Sequence, residues 1–522
     1  MDFPKEAITK IIEKNLKNKK EIEELKKRLA KKHGLSKIPK NSDILKEATE
    51  KQREKLKPLL RKKPTRTISG VSIIAIMTKP LECPGECIYC PGGKTKETPK
   101  SYTGEEPAAM RAEKNQYMAN KQVKNRLNQL KDIGHPTDKI ELILMGGTLP
   151  AYPEYMDEFV KNALDALNEE KSKTIEEAIK KNEKSKHRCI GITFETRPDY
   201  CKQKQINQML KLGGTRVEIG VQNPDDEIYE RVKRGHKVKD VIEATESART
   251  SLMKINYHIM PNLPGSNPQK DLKMFKELFK KEEFKPDMLK IYPTLLTDPE
   301  KTGRETELHK EWLKGKWVPY EEEKTIEMLA KARKYLPKYV RVMRTQRDIP
   351  AKLIKRGVKS SNLRRLVDEK AEEMGIKTKE IRYREIRDKK PLETEIKTEE
   401  YKTKGTSEIF ISIEDSIQDK IIGFTRLSFP NKSKRPEIDE KTAGIRELHV
   451  YGPSKTINRD KYSEKEIGVQ HEGHGERLLK EAEKLAVEKG KEKMLVISGI
   501  GAREYYRKKG YKLETPYMKK RL

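Results

Sequence analysis

Cysteine is scarce in this chain, with five in 522 residues, and large aromatics are few, with two Trp and nine Phe. Five cysteines cannot staple a chain of this length into a disulfide framework. Three of them, Cys83, Cys87 and Cys90, fall within eight residues, and in a reducing compartment such clustering speaks for metal. No stretch approaches the ~18 apolar residues of a membrane-spanning helix. Residues 1–30 are charged throughout and lack the apolar core of a secretory leader. The expectation is a soluble, cytoplasmic protein with no membrane partner. Acidic residues are also in deficit: 115 Lys and Arg against 83 Asp and Glu leave a formal charge of +32. A polyanion is the partner such a surplus implies, and nucleic acid is the commonest.

The surplus is concentrated at the start, where residues 1–68 carry 22 Lys/Arg against 10 Asp/Glu. Ile8, Ile11, Ile12 and Leu16 recur at helical spacing, so two or three basic helices are expected, interrupted at Pro39 and Pro58. From Val71 the character changes. Short apolar runs at 71–77, 140–145, 189–194, 216–220, 254–260 and 288–292 alternate with helical stretches. That alternation predicts an α/β fold with a parallel sheet, closed or partly closed as a β/α barrel across residues 69–345. Residues 346–400, rich in Lys and Glu, read as a connector. Residues 401–522 return to short strands around one helix, Glu476–Glu488, as a mixed α+β domain large enough to fold alone.

The cysteines stand as Cys83-Pro-Gly-Glu-Cys87-Ile-Tyr-Cys90. Three thiolates on one short loop hold three irons of a [4Fe–4S] cube and leave the fourth iron open. A structural zinc site would need a fourth ligand, and no further Cys or His lies close in sequence. The open iron is the feature that lets S-adenosylmethionine (SAM) bind and be cleaved reductively. C-x3-C-x2-C after the first strand of a β/α barrel resembles the radical-SAM superfamily. Met145-Gly146-Gly147-Thr148, closing the second strand, is similar to that superfamily's glycine turn beside the SAM amino group. Glu195, ending the third strand, is a candidate catalytic residue and ribose or amino-group partner.

Near the C-terminus, Gln470-His-Glu-Gly473-His474-Gly475 precedes the helix. It matches Q-x-x-G-x-G, the pyrophosphate loop of the GNAT acetyltransferases, where glycines admit the phosphates to N–H groups at a helix start. The upstream strand Glu447-Leu448-His449-Val450 resembles the GNAT strand that pairs with pantetheine amides. Arg503-Glu-Tyr505-Tyr506 to Gly510-Tyr511 resembles the family's closing helix, and Tyr505 and Tyr506 are the candidate catalytic tyrosines.

The two sites in one chain, with motifs such as Ser101–Pro107, Gly191–Cys201, Arg216–Gln222, Arg234-Gly-His236 and Lys290–Thr294, resemble the family of Elongator catalytic subunits. That resemblance runs from about residue 68 to the C-terminus. It implies a tRNA wobble-uridine enzyme in which a SAM-derived radical takes hydrogen from the methyl group of acetyl-CoA. The carbon then joins C5 of uridine 34, and thioester hydrolysis leaves a 5-carboxymethyl group. It further implies that Lys139 touches acetyl-CoA. The basic charge of residues 1–68 makes them a candidate tRNA-binding segment, and accessory subunits or a second copy are candidate partners. The sequence departs from the family at His474, where others often carry an aromatic, and at Thr378, where many carry Cys. The competing reading is a protein lysine acetyltransferase with a purely structural cluster; it calls for an acidic peptide groove, which the net charge opposes.

Overall fold

The computed structural model describes residues 2–61, 67–93, 97–452 and 473–522. The N-terminal segment forms four helices, Phe3–Glu13, Lys19–Lys32, Asn41–Glu47 and Glu50–Leu60. Asp2, Asn18 and Thr49 cap three of them by accepting from backbone N–H groups of the first turn. Ile8, Ile11, Ile22, Leu25, Leu29, Ile44, Leu45, Leu56 and Leu60 meet in a core of their own, and Lys26 is buried beside it, paired with Glu23 at 3.0 Å. Pro58 was expected to interrupt the last helix but sits inside it, two residues before its end. A proline there removes one N–H donor, and the helix ends two residues later. The bundle docks through Arg61 Nε, which donates to the Gly134 carbonyl at 2.8 Å, and through Lys46 and Asp132 at 3.3 Å.

Seven parallel strands follow: Val71–Met77 (β1), Lys139–Met145 (β2), Arg188–Thr196 (β3), Arg216–Gln222 (β4), Lys254–Ile259 (β5), Met288–Ile291 (β6) and Arg341–Arg344 (β7). They lie side by side in chain order. β1 and β7 do not pair, so the barrel is open along one side. Helices such as Pro153–Asn168 and Val238–Thr250 return the chain between strands and cover the outside. Strand residues buried from both sides, such as Ile140, Leu142, Leu144, Val217, Ile219, Ile255 and Ile259, make the core between them.

The C-terminal sheet contains Thr394–Thr403 (β8), Thr406–Asp415 (β9), Lys420–Pro430 (β10), Thr442–Val450 (β11), Lys493–Val496 (β12), Lys512–Glu514 (β13) and Tyr517–Arg521 (β14). Its order is β8-β9-β10-β11-β12-β14-β13. β8 takes up the end of the stretch read as a connector, so this domain's sheet starts at Thr394. The rest of that stretch carries the helix Leu363–Glu373, which shares the barrel's core through Leu363 and Val367.

The C-terminal domain docks on the barrel end where the strands begin. Asp287, just before β6, is fully buried there. It pairs with Arg446 of β11 at 2.7 and 2.6 Å, Arg249 at 3.4 Å and Arg426 of β10 at 3.6 Å. Glu408 accepts from Arg446 Nε at 2.9 Å, and Glu447 from Arg426 at 2.9 Å. Buried charges persist only when paired in this way. No helix among the described residues is long and apolar enough to cross a membrane.

Candidate functional site: an open barrel with a three-cysteine loop

The loop after β1 carries Cys83, Cys87 and Cys90 to the barrel end where the strands finish. Arg234 Nη1 donates to the Cys87 sulfur at 3.3 Å, and the Ser101 backbone N–H donates to the Cys90 sulfur at 3.2 Å. Cys83 Sγ lies 3.8 Å from the Thr148 hydroxyl. Burial works against a Cys87 thiolate, but the Arg234 charge, with Arg197 behind it, wins and brings the thiol below its ordinary value. Burial pushes Cys90 up, and the charge of Cys87 adds to it. The three sulfurs are not all within 4.8 Å of one another. A tetrahedral zinc with Zn–S bonds of about 2.3 Å would draw its thiolates to about 3.8 Å apart. The wider spacing and the N–H donors aimed at sulfur fit an iron–sulfur cube. Cys189 and Cys201 are fully buried elsewhere, and burial pushes both thiols up to about 12, so they stay protonated.

Gly146 and Gly147 follow β2 with φ of +115° and +100°. A Cβ on Gly146 would stand 2.3 Å from Thr78 Oγ1, so only glycine lets β1 and β2 close up here. Gly147 and Thr148 then turn into the cavity beside the cysteines.

The cavity is the hollow of the open barrel, with a volume of about 1630 Å³. The three cysteines and Glu195 line one end, and Arg341 and Glu385 line the other. Arg341 pairs with Glu385 at 2.6 Å and donates to the Tyr451 hydroxyl of the C-terminal domain. The cavity therefore runs from the cysteine loop to the barrel end on which the second domain docks. Arg111, Arg126, Arg347, Arg365 and Arg387 stand along it and make its opening basic.

Inside the barrel, charged side chains link one strand to the next. Glu195 accepts from Tyr102 Oη at 2.8 Å and faces Lys290 Nζ at 3.5 Å. Lys290 also donates to Glu218, which accepts from Asn256 Nδ2 at 3.2 Å and lies 3.0 Å from His258 Nε2. Burial opposes ionisation of Glu218, yet Lys290, His258 and Arg216 hold it well below the usual carboxylate range. Glu195, Glu218 and His258 are close enough to share a cation. Lys290 already fills that role, since its ammonium sits between the two carboxylates and is held protonated by them.

The second expected site takes shape at the splay between β11 and β12. These strands pair in parallel only from Thr442–Lys493 to Ile445–Val496. β11 continues to Val450 with β10 on one side and an open edge on the other. Glu447, Leu448, His449 and Val450 lie on that edge, half-buried. Among the described residues no strand pairs with that edge beyond Ile445, and a strand edge suits the amides of a pantetheine arm. Gly473 begins the helix His474–Glu488 in a left-handed conformation with φ of +81°. A Cβ on Gly475 would lie 3.4 Å from the Tyr505 hydroxyl and 3.8 Å from Val450, so the loop, the strand edge and Tyr505 converge. Gln470 lies outside the described residues. Tyr505 is 38% exposed, whereas Tyr506 is buried against Tyr511 with ring centroids 5.7 Å apart. Of the two tyrosines expected in the site, Tyr506 is a core residue. Lys139 opens β2 at the barrel end that faces the C-terminal domain.

Arg234, Glu218, His258, Lys290 and Tyr102 were not assigned roles by the sequence reading. For Glu218 and Lys290 one signal was available, that a charged residue inside an apolar strand of a parallel sheet requires a partner, though not which partner.

An open parallel barrel with a three-cysteine loop, joined at its base to a splayed mixed sheet, defines a radical-SAM enzyme with a second domain. The family models agree on the first part. The ELP3 N-terminal domain matches residues 1–68, the radical SAM superfamily residues 81–278, and the radical SAM C-terminal domain residues 286–373. The tRNA uridine(34) acetyltransferase of Methanocaldococcus infernus is 51% identical over 93% of this chain and 92% of that protein. Human Elongator complex protein 3 is 39% identical over 99% and 96%. The solved structure of M. infernus Elp3 with an N-terminal deletion (1–46) superposes with a TM-score of 0.75 at 46% identity, covering 87% of this chain and all of that one. The chain belongs to the family of tRNA uridine(34) acetyltransferases and Elongator complex protein 3.

Proposed function

We propose that this protein modifies uridine 34 of tRNA, using SAM and acetyl-CoA to place a carboxymethyl group on C5. The observation that supports this reading is the barrel hollow, which reaches from the cysteine loop to Arg341 and Glu385, where Arg341 donates to Tyr451 of the second domain. Two sites so connected suit one reaction better than two. Cys83, Cys87 and Cys90 would hold the [4Fe–4S] cluster, and Gly146, Gly147 and Thr148 would flank SAM beside it. When bound, the cluster and SAM supply a carbon radical able to take hydrogen from an unreactive methyl group. The chain's own residues bind and orient. Glu195, fixed by Tyr102 and Lys290, presents a carboxylate to the cavity. The open edge of β11, with Gly473, His474 and Gly475 at the helix start, would hold CoA, and Lys139 stands at the same end of the barrel. Tyr505 stands beside Gly475 and offers a phenol to the bound CoA. The basic opening and the basic N-terminal bundle suit an anticodon stem and its phosphates. The reaction is placed in the cytoplasm, with accessory subunits or a second copy as further partners.

The test is incubation of the reduced, reconstituted protein with tRNA, SAM and acetyl-CoA, followed by nucleoside mass analysis. 5-Carboxymethyluridine is expected, and Cys87→Ser should abolish it while leaving tRNA affinity within about twofold. Acetyl-lysine on a peptide with no modified nucleoside would instead favour the lysine acetyltransferase reading.

A further inference from the structure

The reading above contains a step that needs no radical: water must cleave the thioester once the new carbon–carbon bond exists. Thioester hydrolysis requires a base to take a proton from water and to return one to the departing sulfur. Most groups inside the barrel cannot do this. Lys290 is an ammonium held by two carboxylates. Burial and neighbouring charge push the Tyr102 and Tyr292 phenols up, so both keep their protons. Glu218 is 1% exposed and fully engaged by Arg216, Asn256, His258 and Lys290. His236 is buried and takes a hydrogen bond from Arg234 at 3.2 Å on Nε2. His135, on the cavity wall further down, engages Thr67 through Nδ1 at 2.7 Å.

His258 differs from all of these. It lines the cavity that also receives the cysteines, Glu195 and Lys290. Its Nε2 is 3.0 Å from a Glu218 carboxylate oxygen. Glu218 is ionised and only accepts, so Nε2 carries a proton, and in the neutral ring the lone pair then lies on Nδ1. Among the described residues no hydrogen bond engages Nδ1, and the ring is held edge-on to Tyr292 with centroids 5.5 Å apart. A carboxylate that fixes the tautomer, with the opposite nitrogen open to the cavity, is the arrangement of a general base.

We infer that His258, oriented by Glu218, is the base that hydrolyses the acyl-CoA thioester formed on the uridine; this rests on the function proposed above. Nδ1 takes a proton from water as its oxygen bonds to the thioester carbonyl carbon. Collapse breaks the carbon–sulfur bond, and the imidazolium returns the proton to the sulfur. The products are free CoA thiol and a carboxylic acid that ionises to solvent. No oxidant or reductant is consumed. Glu218 is a positioning residue in this scheme.

The experiment compares wild type with His258→Asn in single turnovers with SAM, acetyl-CoA and tRNA. The variant should release CoA and 5-carboxymethyluridine about 10²–10⁴-fold more slowly. 5′-Deoxyadenosine should still form, and an acyl-CoA adduct should accumulate on the tRNA. Hydroxylamine should convert that adduct to a hydroxamate, and added imidazole should restore part of the hydrolysis. Release of CoA by His258→Asn at the wild-type rate would overturn the assignment. A wild-type enzyme that forms no 5-carboxymethyluridine would overturn the functional reading and the assignment with it. Independently of turnover, diethyl pyrocarbonate should label His258 in the wild-type holoprotein, and tRNA should protect it. An unlabelled His258 would mean that Nδ1 is closed, and the assignment would fail even if the Asn variant does not fold.

Discussion

His449 shows how an individual residue ties the second domain to the barrel. Burial and the Arg341 charge lower its imidazole to about 4. Above about pH 6.5 the ring is neutral in folded and unfolded chains alike, so it adds no pH dependence. As pH falls below 6.5 the unfolded chain binds a proton that the folded chain refuses. Stability therefore drops until about pH 4 and then levels, by up to about 3 kcal/mol. Urea unfolding at pH 7.5 and pH 4.5 should show a smaller loss for His449→Gln than for wild type; equal losses would contradict this. At the same scale the sequence exposes some groups and hides others. The cysteines and glycines are legible because their chemistry demands a fixed local spacing. Glu218, His258 and Lys290 sit on three strands and meet only through the register of β4, β5 and β6, which no local pattern reveals.

Elements rich in charge are the ones the sequence conceals. β8, Thr-Glu-Ile-Lys-Thr-Glu-Glu-Tyr-Lys-Thr, looks like a connector because, as the outermost strand, it leaves much of its surface in water. β7, Arg-Val-Met-Arg, is short, and Arg341 is spent on Glu385 and Tyr451 rather than on solvent. The strands β1 to β6 were legible because each carries apolar residues buried under the outer helices, such as Ile74, Leu142, Ile192, Val217, Ile255 and Leu289, beside residues that face the hollow. The contact between β6 and β11 depends on Asp287, held ionised by Arg446, Arg249 and Arg426. Asp287→Asn leaves those arginines without their counter-charge and should lower stability by about 3–5 kcal/mol. Denaturant unfolding measures it, and a loss under 1 kcal/mol would show that the network relaxes without cost.

Across the whole molecule the cysteine loop and the second domain lie at opposite ends of one barrel, and the N-terminal bundle flanks its side. The bundle has its own core and few ties to the rest, so its surplus of lysine is free for phosphates. Deleting residues 1–61 should weaken tRNA binding and flatten the dependence of log Kd on log salt, each lost phosphate contact removing about 0.7–0.9 from the slope. An unchanged slope would place tRNA binding wholly on the barrel. The cavity between the two sites could not be foreseen from either motif, because it exists only where β1 and β7 fail to close.

That connection is the central claim, and the methyl group of acetyl-CoA is where it can be tested. With trideuteromethyl acetyl-CoA, the account predicts one deuterium in 5′-deoxyadenosine and two in the carboxymethyl group of uridine 34. Deoxyadenosine without deuterium, formed alongside modified tRNA, would contradict it.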